Sequence, residues 1–86
     1  MLIRVLAQEQ TLSSTSNTTV TSAVVVRLVH IGAQEHIITI ADGAGTNIGT
    51  ITILNNSEMM LEKRITDTLQ VDSGNDVKAV SVAYKN

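Results

Sequence analysis

Apolar residues along this chain come in short β-branched runs separated by small polar residues, and the runs alternate at a period of two. That pattern predicts strands. Leu2 to Ala7 reads as the first of them. Ala23 to Ile31 (AVVVRLVHI) is the strongest run and is apolar on both faces, which predicts a central strand covered on both sides for much of its length. Gly32-Ala33-Gln34 turns the chain into Glu35 to Ala41, and Asn47 to Leu54 follows Asp42-Gly43-Ala44-Gly45. Asp-Gly between two alternating apolar runs predicts a hairpin, because glycine tolerates the positive φ that such turns need. Gly49 interrupts the second run and predicts a bulge.

Glu58 to Arg64 (EMMLEKR) is rich in helix formers, and Ser57 stands where a helix cap would. The segment is short, however, and alternation places Met59 and Leu61 inward with Glu58 and Glu62 outward, so a strand is the preferred reading. Thr68 to Val71 and Val77 to Tyr84 complete the set around a turn at Asp72-Ser73-Gly74-Asn75. In the last strand Val80, Val82 and Tyr84 share one face, with Lys78 leading it. Thr11 to Ser22 holds nine serines and threonines among twelve residues. Residues 8–22 thus read as an exposed polar strand edge, with a flexible segment as the alternative. Seven or eight short strands without proline imply an all-β chain, a small antiparallel β-sandwich forming one domain over residues 1–86.

Composition narrows what such a sandwich does. Cysteine is absent, which removes disulfides and thiolate zinc sites. Tyr84 is the only aromatic residue, so the core is aliphatic, each buried side chain contributing about 1.5–3 kcal/mol. A core of this size leaves little margin, and assembly with other chains would add to it. The net charge of −2 speaks against binding a phosphate backbone, and the lack of aromatics removes platforms for stacking bases or sugars. No apolar run reaches the ~18 residues of a membrane span. The charge inside Met1–Ala7 does not suit a signal peptide, so synthesis in a cytoplasm is expected.

Chemistry-bearing motifs are sparse. Gly43 to Gly49 spells GxGxxxG, but the strand-like Thr50-Ile51-Thr52-Ile53 follows it where a dinucleotide fingerprint needs a helix. His30 and His36 stand six residues apart across a turn, a spacing that fits no standard ligand motif. They read as surface or interface histidines, although pairing of their strands would bring the rings together near Glu35. Asp72, Asn75 and Asp76 lack the order of a calcium loop and read as a polar turn. Nothing assembles into a nucleophile, base and orienting group, so no enzyme, cofactor or metal is expected. Glu58, Glu62, Lys63, Arg64 and Asp67 form the densest charge cluster, a solvated face or a docking edge. Arg27, inside an apolar strand, either extends to solvent or meets a carboxylate such as Glu62 or Asp67.

Several of these segments taken together carry a family likeness. Val26-Arg27-Leu28-Val29-His30, Ile38-Thr39-Ile40-Ala41-Asp42 with its glycine-rich turn, and Ile48-Gly49-Thr50-Ile51-Thr52-Ile53 form one pattern. Met60-Leu61-Glu62-Lys63, Thr66-Asp67-Thr68-Leu69 and Val77 to Tyr84 continue it. Over roughly residues 23–84 the chain resembles small β-sandwich virion proteins of tailed phages, especially those of marine cyanobacteria. The Ser/Thr-rich segment and the Met59-Met60 pair have no counterpart in that likeness. The resemblance implies a capsid decoration or cement protein, made in the host cytoplasm and located in the virion. Its implied partners are the major capsid protein or other virion proteins, together with its own copies in a homo-oligomer, a trimer being favoured. Neck, tail or baseplate fittings and a host-facing binding module are the alternatives. The expected contact elements are the first strand, with Leu2, Arg4 and Leu6, and the edge and corner carrying Glu58, Glu62, Lys63, Arg64 and Asp67.

Overall fold

In the computed structural model, which describes residues 2–85, the chain folds into eight strands and two antiparallel sheets. The strands are β1 (Leu2–Val5), β2 (Gln10–Thr11), β3 (Val25–His30), β4 (His36–Ala41), β5 (Asn47–Ile53), β6 (Glu58–Glu62), β7 (Thr68–Val71) and β8 (Val77–Lys85). One sheet has the order β1-β8-β3-β6, with β2 also paired to β8 at Ala79 and Lys78, beyond the stretch that β1 occupies. The other has the order β5-β4-β7. Leu28, Val26, Val77 and Ala79 from the first sheet meet Ile38, Ile53, Leu69 and Val71 from the second in one buried cluster. The chain is therefore a small all-β sandwich with an aliphatic core.

Alternation decides what each strand buries. In β3, Val26, Leu28 and His30 are buried while Val25, Arg27 and Val29 are half-buried. Central placement between β8 and β6 is as the apolar run predicts, but only one face is fully covered. The remaining valines lie on the outer face, where Val25 stands beside Val82. Glu58–Glu62 is a strand because its pairing with β3 places Met59 and Leu61 against the core and leaves both glutamates exposed. Tertiary pairing here outweighs helix propensity.

The β4–β5 hairpin closes through Asp42, whose Oδ1 accepts from the main-chain N–H groups of Ala44 and Thr46, both at 2.9 Å. Gly45, at φ +89°, supplies the positive φ that the turn requires. Ile40 faces Gly49 while Ala41 faces Asn47, so Ile48 is the extra residue of a bulge next to the glycine.

Only Gln10 and Thr11 of the Ser/Thr-rich stretch form a strand. Leu12 N–H still bonds Val77 O of β8 (2.9 Å), and residues 13–18 then lie along the outer edge of β7. Leu69 N–H donates to Thr18 O (2.8 Å), Thr18 N–H returns the bond (3.2 Å), and Val71 N–H donates to Ser13 O (3.2 Å). The Gln70 side chain adds a bond to Ser14 O at 2.7 Å. Leu12 and Val20 are the two apolar residues inside this polar run, and both are fully buried in the core. The segment ends in a left-handed turn, with φ near 54°, 60° and 55° at Val20, Thr21 and Ser22. Ala23 N–H closes it onto Thr19 O at 3.2 Å.

Candidate docking surface

Hydrogen-bond direction shows which strand edges are open. Leu6 N–H donates to Ser81 O, so even-numbered residues of the first segment turn their main-chain groups toward β8, and Ile3 and Val5 point theirs outward. On the far side of the same sheet, Lys63 N–H donates to Val24 O and His30 N–H to Ser57 O. By the same alternation Glu58, Met60 and Glu62 turn their main-chain groups away from β3. Among the described residues nothing pairs with these outward groups. In the second sheet, residues 13–18 cover β7, and the bulge at Ile48 breaks the free edge of β5.

The open edge at β1 is apolar. Leu2 is 66% exposed, Val5 62% and Leu6 55%, with Ile3 and Tyr84 adjacent on the outer face of the sheet. Arg4 is exposed between them and makes no ion pair among the described residues. Leu2, Arg4 and Leu6 thus lie together along one rim.

At the β6 edge the charged residues separate into two kinds. Glu58 pairs with Arg27 across the outer face, so the carboxylate that Arg27 meets is Glu58 and neither Glu62 nor Asp67. Their strands set them one diagonal step apart, which the linear sequence does not reveal. Glu62 and Arg64 are exposed. Lys63 and Asp67 are turned inward, at 6% and 5% exposure. Lys63 Nζ donates to Ala23 O at 2.7 Å and to Arg64 O at 3.1 Å, tying the corner to the start of β3. Burial holds the Lys63 ammonium below its ordinary pKa, against an opposing pull from Asp67. Burial pushes the Asp67 carboxyl upward, but hydrogen bonds from Arg64 and the charges of Arg64 and Lys63 outweigh this and leave it below the usual range. Above this corner a shallow groove is lined by Val24, Glu62, Arg64 and Ile65, with exposed Val24 and Ile65 supplying apolar surface beside β6.

β3 and β4 lie in different sheets and do not pair with each other, and the two histidines instead meet where residues 31–35 cross from one sheet to the other. Their rings stack at 4.8 Å, and both are buried rather than on the surface. His30 accepts from Gly32 N–H at Nδ1 (2.9 Å) and donates from Nε2 to Gln34 O. His36 Nδ1 lies 2.8 Å from Asp72 Oδ1, while its buried Nε2 has no hydrogen-bond partner and stands 3.7 Å from Asp76 Oδ2. Burial raises the Asp72 carboxyl, but the His36 hydrogen bond and bonds from Ile37 and Ser73 bring it below the usual range. Glu35 is exposed outside this cluster, and Asp72 and Asp76 take the role expected of it. Among the described residues no group of three or more such side chains is placed to hold a metal ion.

What fold and surface define is a small antiparallel β-sandwich in which, among the described residues, both edges of one sheet are unpaired. No protein-family model matches the chain, and no curated protein or solved structure matches it either.

Proposed function

We propose that this chain is a non-enzymatic structural protein that assembles by strand addition at the edges of its larger sheet. The observation that carries this reading is the β1 rim, where outward main-chain groups coincide with exposed Leu2, Val5 and Leu6. An edge of this kind invites aggregation unless something pairs with it, so a protein that keeps it has a use for it. The likeness of residues 23–84 to small phage virion proteins supports the shell of a tailed phage particle as the setting, with this chain as its decoration or cement. Arg4 and the glutamates of β6 then set register and partner choice, while apolar contact and main-chain bonds hold the complex. Binding only the assembled shell stabilises that shell by mass action.

The test is the copy number of this chain in purified particles from its source, by quantitative mass spectrometry. Copies comparable to the major shell protein are expected. A number matching one ring would move the protein to the neck or tail, and absence from particles would overturn the virion setting.

A further inference from the structure

The two open edges suit each other. Along the sheet order β1-β8-β3-β6 every neighbour is antiparallel, so β1 and β6 run in opposite directions at the two rims. A second copy placed beside the first with its larger sheet in line sets its β1 antiparallel to this β6. The alternation then continues unbroken across the boundary. Outer-face side chains agree as well: Ile3 and Val5 on β1, and Glu58, Met60 and Glu62 on β6, are the residues whose main-chain groups point outward.

We propose that copies of this chain join head to tail, β1 of one pairing with β6 of the next. This rests on the reading of the chain as an edge-assembling structural protein and names the occupant of the edge as a second copy. The register that uses all four residues of β1 sets Leu2 opposite Leu61, Ile3 opposite Met60, Arg4 opposite Met59 and Val5 opposite Glu58. No like charges face each other in it.

Pairing each edge with its own copy is poorer. Two β6 strands in full register set Glu58 opposite Glu62 at both ends. For two β1 strands, the registers that match outward residues either overlap only three residues, Leu2 to Arg4 or Arg4 to Leu6, or set Arg4 opposite Arg4. Each such dimer leaves two edges open, whereas head-to-tail contacts repeated around a closed ring cover both edges of every copy. A heterologous contact of this kind closes into a ring if its rotation permits.

The absence of native cysteine allows a direct test on the isolated protein. Ile3→Cys and Met60→Cys each change an exposed side chain, and far-ultraviolet circular dichroism checks that each variant folds. Opposed residues of a hydrogen-bonded antiparallel pair have Cα atoms about 5.5 Å apart, within the range a disulfide spans. On mild oxidation of an equimolar mixture, the mixed dimer is expected to exceed each homodimer by about tenfold or more, because pairing raises the local thiol concentration. A statistical mixture, or preferential dimerisation of I3C alone, would overturn head-to-tail pairing. Either result leaves the particle copy number untouched, so failure here is separable from failure of the shell reading.

Discussion

Thr21 offers a clean test of how the Ser/Thr-rich segment is held. It is the middle of three residues in left-handed backbone, at φ 60°, and its side chain is exposed. A Cβ in that region costs roughly 1–2 kcal/mol. Glycine removes the cost but makes the unfolded chain more flexible, which costs about 0.5–1 kcal/mol. Thr21→Gly therefore gains a net of about 0–1.5 kcal/mol, centred on about 0.75, a rise in Tm of roughly 3–6 °C at the centre for a domain of this length. Val20 shares the φ but is fully buried, and losing its side chain removes about 1.5–3 kcal/mol of burial. Val20→Gly should thus lower Tm while its neighbour raises it. Thermal melts followed by circular dichroism, with urea titration as a second measure, read both signs. If Thr21→Gly lowers Tm as glycine does in an ordinary exposed loop, the left-handed turn is not the native conformation. The account of how residues 13–18 are fixed on β7 would then fall with it.

Asp72→Asn should lower stability at neutral pH by removing the carboxylate beside His36 Nδ1. The folded pKa of Asp72 lies below its unfolded value of about 3.9, so its contribution is complete above that value and is lost as pH falls through the folded pKa. A plot of Tm against pH should therefore fall less steeply below pH ~4 in the variant, and an unchanged acid limb would refute the role of this pair. Lys63→Met leaves two carbonyl oxygens and the Asp67 carboxylate without their ammonium partner, an expected loss of about 1–3 kcal/mol in urea unfolding. Because burial lowers the Lys63 pKa, the unfolded chain binds more protons in the alkaline range. Wild-type stability should accordingly gain as pH rises toward about 10.4, and this gain should vanish in the variant.

The edges divide into those the protein has blunted and those it has left open. β7 is sealed by residues 13–18, and β5 is interrupted at Ile48. Both devices are known ways of preventing strand addition. Against that background the apolar β1 rim stands out, since a charge, a proline or a bulge at Ile3 or Val5 would have closed it. Strand length adds to the match, with four residues on β1 and five on β6.

Much of the fold was readable from alternation alone. The period of two placed β3, β4, β5, β7 and β8 within a residue or two, and it turned Glu58–Glu62 into a strand despite its helix-forming residues. Glycine chemistry marked the β4–β5 turn and the bulge, because positive φ and extra residues are local demands. What depends on which strands become neighbours was not readable. The Arg27–Glu58 pair, the stacked histidines and the inward Lys63 all join residues whose distance follows from register between separate elements. Leu12 and Val20 were hidden differently. Two isolated apolar residues in a polar run leave no periodic signal, yet each fills the core because the segment is held on β8 at Leu12 and then along β7 at Ser13 and Thr18. Short-range patterning thus determined that this chain is an all-β sandwich. Tertiary structure alone decided which edges are sealed, which charges are buried and which rims stay open, because hydrogen-bond partners and burial are properties of paired strands.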